Sequence, residues 1–163
     1  MSAKSLNSRL PAYQAAFASG ELQQTYQALV GVVQNLRTGF AKKYQSEYSV
    51  ASVMHGYIDF TYFYLQNESL KQRKLKLAIV FKHKEVKFEL WLLGQTKEVQ
   101  VHYWKTLSKE KWLNQETMPE YAIFEVPLSL TPDFDKPAKL SAAIHQRFEA
   151  LSAEIFTMLA TYD

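Results

Sequence analysis

Apolar and polar residues alternate through Lys74–Trp104, KLKLAIVFKHKEVKFELWLLGQTKEVQVHYW. A period of two places successive side chains on opposite faces of a strand. The pattern predicts three consecutive strands. Leu75, Leu77, Ile79 and Phe81 share one face of the first, and Val86, Phe88, Leu90 and Leu92 share one face of the second. Opposed residues of an antiparallel pair point the same way, so an odd core position must meet an even one. The loop therefore has an even number of residues. A two-residue His83-Lys84 loop pairs Leu77 with Leu90, Ile79 with Phe88 and Phe81 with Val86. His-Lys is not a favoured hairpin dipeptide, which keeps a four-residue loop shifted by two open. A one-residue slip is excluded, because it would turn every core side chain outward. The same parity, with an even loop around Gln95-Thr96, pairs Leu92 with Val99, Leu90 with Val101 and Phe88 with Tyr103.

The rest of the chain supplies helices and further strands. Pro11 to Gly20 reads as a short first helix, with proline in its favoured first turn. A second follows, with Leu22, Tyr26, Leu29, Val30, Val33, Leu36 and Phe40 on one face and Lys42 and Lys43 at its negative end. Tyr48–Leu65 is β-rich, as one bent strand or two with a break near Gly56. Its even positions Met54, Ile58, Phe60, Tyr62 and Tyr64 are the more apolar set and are assigned to the core. Asn67–Lys71 reads as a turn or a single helical turn. Ser108–Leu113 is a short helical candidate with Ser108 as N-cap. Tyr121–Leu128 reads as a strand with Ala122, Phe124, Val126 and Leu128 facing in. A terminal helix carries the stripe Leu140, Ile144, Phe148, Leu151, Ile155 and Leu159. Pro137 stands in its first turn, with Asp133 or Asp135 as cap, and His145 falls between stripe positions, on the surface. The expected fold is α+β: an antiparallel meander of four to six strands, covered on one face by two N-terminal helices and a long C-terminal helix.

Composition narrows the class. At 163 residues one domain over 1–163 is expected, able to bury about two thirds of its unfolded surface. Three Trp, ten Tyr and ten Phe exceed what a minimal core needs. The absence of cysteine excludes disulfides, thiolate catalysis and cysteine metal sites. The N-terminal MSAKSLNSRLPAYQAAF lacks the apolar run of a secretory signal, and nowhere does the chain approach the roughly 18 apolar residues of a membrane span. A cytoplasmic location is the resulting expectation. Residues 67–112 carry 11 Lys/Arg against 5 Asp/Glu, a basic middle that could attract an anionic partner. Interspersed glutamates break that patch, so a solvated, lysine-rich sheet accounts for it as well. Nucleic acid is possible but not favoured.

Candidate chemistry lies on the second face of the meander. The register gathers Lys76, Trp91 and Gln100 in one row, Ala78, Glu89 and His102 in the next, and Val80, Lys87 and Trp104 in a third. His55, Tyr57, Asp59 and Thr61 join that face if Tyr48–Leu65 enters the sheet. Glu89 beside His102 could act as base and orienter, with Asp59 as a second carboxylate, which suggests a hydrolase. An ordinary cross-strand pair explains the same juxtaposition. Histidines 55, 83, 102 and 145 lack metal-ligand spacing, and neither a metal nor a cofactor is expected. Asp59 with Glu85-Val86-Lys87 imitates the carboxylate–lysine set of metal-dependent nucleases, although the register separates Glu85 from Asp59. Trp91 and Trp104 mark a binding surface, shared with Lys76, Lys87 and Tyr57, unless residues 105–120 cover them. A cavity lined by Tyr57, Tyr62, Tyr64 and Asp59 is the competing arrangement. Binding of a partner or small ligand is the favoured function, and a hydrolase-type enzyme using Glu89, His102 and Asp59 the alternative.

GYIDFTYFYL (Gly56–Leu65) and ESLKQRKLKLAIVFKHKEVKFELWLLG (Glu68–Gly94) carry a resemblance. With its G-Y-hydrophobic-D-x-T-Y-F strand and S-L-K-x-R-K-L-K-hydrophobic-A-I-V-F hairpin, the chain resembles a small family of uncharacterised bacterial proteins, a domain of unknown function. The likeness runs on through KEVQVHYW. It implies a free-standing cytoplasmic domain and no assigned activity.

Overall fold

The computed structural model describes residues 3–163. Helix α1 (Leu6–Phe17) leads into α2 (Glu21–Lys43). Strands β1 (Ser49–Val50), β2 (Met54–Gly56) and β3 (Phe60–Gln66) follow, then α3 (Glu68–Gln72), β4 (Leu75–Lys82) and β5 (Lys87–Gly94). Helix α4 (Lys97–Thr106), β6 (Phe124–Ser129) and α5 (Pro137–Thr161) complete the chain. The sheet order is β1-β3-β4-β5-β6, with β2 also paired to β3, and every pairing is antiparallel. This is the expected α+β class with an antiparallel meander, except that α1 buries no residue and takes no part in covering the sheet. No helix among the described residues is long and apolar enough to cross a membrane.

The parity argument holds, and the longer loop is the one adopted. Leu77 faces Leu92, Ile79 faces Leu90 and Phe81 faces Phe88. The loop is His83–Val86, closed by Val86 N–H donating to the Lys82 carbonyl at 2.8 Å. Val86, expected inside, is exposed and sits at φ 53. The left-handed residue ends the turn with the twist the strands require.

The odd positions of β4 and the even positions of β5 face the main core, together with Phe63 and Leu65 of β3. Val33, Leu36 and Phe40 of α2 and the full α5 stripe cover this face. The assignment within β3 is thus the reverse of the one the sequence suggested. Both faces of that strand are apolar, and its pairing decides the matter. Phe63 opposite Ile79 and Leu65 opposite Leu77 must point where β4 points. Thr61 goes in with them, its hydroxyl paired with His83 Nε2 at 2.7 Å.

Four helical expectations change. Helix α1 begins five residues before Pro11, because Ser5 Oγ accepts from Ser8 N–H at 3.2 Å, and Pro11 lies inside it. Gly20, at φ 79, makes the left-handed turn into α2. No side chain caps α5, although Pro137 does open its first turn. Asp133 instead accepts from Asp135 N–H in the preceding turn. His145 is 8% exposed, stacked on Phe40 at 4.3 Å, rather than on the surface. Residues 108–113 form turns, not a helix.

The largest departure is the third strand. Lys97–Thr106 is helical. Thr96 Oγ1 accepts from Val99 N–H at 3.3 Å, Glu98 sits in the first turn and Lys105 in the last, so cap and charges suit a helix. Val99, Tyr103 and Leu107 recur every four residues and pack toward the main core. Over so short a segment that stripe is indistinguishable from alternation at Val99, Val101 and Tyr103. The edge that this strand would have occupied belongs to β6, where Leu92 faces Phe124 and Leu90 faces Val126.

Candidate functional site

The second sheet face is built by the side chains β3, β4 and β5 turn away from the helices. Its rows follow from the register. Tyr64, Ala78 and Trp91 stand side by side, as do Tyr62, Val80 and Glu89. Small residues on the middle strand between large aromatics on its neighbours leave a trough. The β2–β3 turn, the start of α4 and the segment around Glu120–Ala122 wall it. The result is a half-open cavity of about 410 Å³, lined by Tyr57, Asp59, Phe60, Tyr62, Tyr64, Lys76, Ala78, Val80, Trp91, Leu93, Lys97, Gln100, Glu120 and Tyr121, among others. That volume lies in the range of small-molecule sites.

Packing fixes the floor. Trp91 is 5% exposed and meets Phe60 edge-on at 5.4 Å. Its indole N–H donates to Glu89 Oε1 at 3.0 Å. Glu89 itself is 4% exposed and is held by Lys82 Nζ at 3.5 Å and Lys87 Nζ at 3.3 Å. The carboxylate therefore serves as the anchor of a tryptophan and the counter-ion of two lysines. Glu125, 3.9 Å from Lys82, is held above the usual carboxylate range by burial first and then by the charge of Glu89.

The two ends of the trough differ in charge. Asp59 and Glu120 stand at the Phe60 end, where Tyr121 meets Phe60 at 6.0 Å. Lys76 and Lys97 stand at the α4 end. Lys76 Nζ lies 3.9 Å from the centre of the Tyr64 ring, a cation–π contact. Burial pushes the Lys76 ammonium below its ordinary value, and it pushes the Tyr64 phenol up to about 12, assisted by Tyr62. Gln100 is buried at this end and accepts from Gly94 N–H at 3.3 Å.

The sequence-derived candidates separate into two groups. Tyr57, Asp59, Lys76 and Trp91 all line the trough, and so do Tyr62 and Tyr64, as the cavity arrangement expected. Glu89 and Lys87 share the face but are engaged with each other. His102 and Trp104 do not belong to it. The expected Glu89–His102 pair does not exist, because β5 pairs with β4 and β6 while His102 is exposed on α4. Trp104 packs against the main core, and its indole N–H donates to the Asn114 carbonyl at 3.2 Å. That bond ties it to the 105–120 segment, and the side chain stays half-buried. Glu85 reaches Lys82 at 3.9 Å, and no cluster among the described residues could hold a metal ion.

Gln100, placed beside Lys76 and Trp91 as a strand residue, does reach the trough, but from α4. Phe60, Lys97, Glu120 and Tyr121 were not legible as site residues. A signal was present for the trough itself. Ala78 and Val80 are the smallest side chains in their strand, and small residues facing aromatics mark a depression.

The family model for "Domain of unknown function (DUF7000)" matches residues 6–159. The chain belongs to the DUF7000 family. The match runs from the first residue of α1 to two residues short of the end of α5, so the trough lies wholly within the family domain. No curated protein and no solved structure matches the chain.

Proposed function

We propose that this DUF7000 domain is a binding module that takes a small ligand in the trough on its second sheet face. The observation that carries the reading is the cavity of about 410 Å³ between Tyr64, Ala78 and Trp91, set apart from the main core and open at one side. Aromatic walls give a flat apolar ligand large contact area with little side-chain ordering. Lys82 and Lys87, which a basic surface would need for an extended anionic partner, are already paired with Glu89, and Lys82 also reaches Glu85 and Glu125.

The test is a fragment screen followed by heteronuclear NMR, read at the indole N–H of Trp91. Hits that shift Trp91 and the backbone of β3 and β4 together support the reading. Ala78→Leu places a larger side chain in the trough and should abolish those shifts while the far-ultraviolet circular dichroism stays unchanged. Fragments that bind only elsewhere, or equally well to Ala78→Leu, would sink the proposal.

A further inference from the structure

The lysine at the α4 end of the trough lacks what the other lysines of this face possess. Lys82 and Lys87 each reach a carboxylate within 4 Å. Lys76 makes no ion pair among the described residues, and its ammonium rests on the face of Tyr64. It is half-buried and lines the cavity. A desolvated ammonium without a counter-ion is unfavourable, and burial correspondingly depresses its proton affinity. An incoming anion would supply the missing charge. Lys97, at the first turn of α4 on the same rim, adds a second positive charge and is likewise without an acid partner among the described residues.

The acidic groups of the trough lie at its other end. Asp59 adjoins Phe60, whose backbone pairs with Lys82 on β4, six residues or about 20 Å of strand from Lys76 at roughly 3.3 Å per residue. Neither Asp59 nor Glu120 forms an ion pair with Lys76 among the described residues. They disfavour an anion at their own end, which gives the ligand one orientation.

We propose that the ligand is a flat aromatic anion, its carboxylate on Lys76 Nζ and its ring between Tyr64 and Trp91 above Ala78. The inference rests on the binding reading above and specifies its ligand class. A charge-assisted contact at a partly desolvated lysine is worth about tenfold or more in affinity over a neutral isostere.

The probes are 2-naphthoate and its neutral isostere 2-naphthamide, titrated calorimetrically with the Trp91 indole signal followed by NMR. The expected result is that naphthoate binds at least about tenfold more tightly than the amide. Lys76→Met keeps most of the side-chain stem and removes the charge. It should abolish the difference by weakening naphthoate alone. Equal binding of both probes, or a preference that survives Lys76→Met, would overturn the anion inference and leave the trough as a neutral site. Absence of binding by both probes at millimolar concentration would overturn this inference and count against the binding reading as well.

Discussion

Trp91 and Glu89, two residues apart on one strand face, are joined by an indole N–H···carboxylate bond of 3.0 Å that is buried from solvent. The bond makes the floor of the trough depend on a charge network. Glu89→Gln keeps an acceptor for the indole but leaves Lys82 and Lys87 without their shared carboxylate. Because both lysines retain some exposure, the expected loss is about 1–2 kcal/mol, and Glu89→Leu, which also strands the indole, should lose about 3 kcal/mol. Urea unfolding with an unchanged m-value would measure both.

Trp91 and Trp104 should behave oppositely. Trp91→Phe removes the bond to Glu89 and should weaken 2-naphthoate binding. Trp104→Phe gives up the bond to the Asn114 carbonyl, costs about 1 kcal/mol of stability, and should leave binding unchanged. Parallel calorimetric titrations of the two variants decide between a trough site and a surface that uses both indoles.

Val86 occupies a left-handed conformation at φ 53, which a β-branched residue rarely adopts. It is exposed, so its side chain contributes little packing. Val86→Gly should raise stability by about 1 kcal/mol, visible as a higher melting temperature. No gain would mean that the His83–Val86 loop relaxes differently in solution.

Gly94 marks the point where β5 gives way to α4. A Cβ there would lie 2.5 Å from Gln100 N and 2.9 Å from its Cα, both backbone atoms. Gly94→Ala should therefore cost about 2–3 kcal/mol in chemical denaturation. Had the chain continued as a hairpin, alanine would be tolerated.

His145 ties α5 to α2. Tyr44 donates its hydroxyl proton to Glu149 Oε1 at 2.9 Å, so the 3.0 Å contact with His145 is a donation from Nδ1–H to the phenol oxygen. Burial, and then the charge of Lys43, holds the imidazole below its ordinary value, with Glu149 opposing. A depressed folded value means that the stability is fully present above about pH 6.5 and is lost as pH falls through the folded value. His145→Leu should reduce the pH dependence of the urea midpoint between pH 7 and 5. The remaining slope should include His83, held low by burial and by His55, with Asp59 opposing.

Much of the fold was written in periodicities. The α5 stripe, the α2 face and the parity of the β4–β5 hairpin each follow from spacing alone, because a misplaced apolar set cannot be buried. What spacing could not resolve are segments that satisfy two patterns at once. Val99 to Trp104 fits both a helix and a strand, and β3 is apolar on both faces. Tertiary pairing settled each, by giving the edge of β5 to β6 and by matching Phe63 and Leu65 to β4. The site divides along the same line. The sequence by itself placed Lys76, Glu89 and Trp91 on one face, since side chains alternate along a strand. Only the tertiary structure decided that this face is a walled trough. Its walls come from the β2–β3 turn, α4 and the segment near Tyr121, parts of the chain whose proximity is set by how the sheet and helices pack and not by any local pattern.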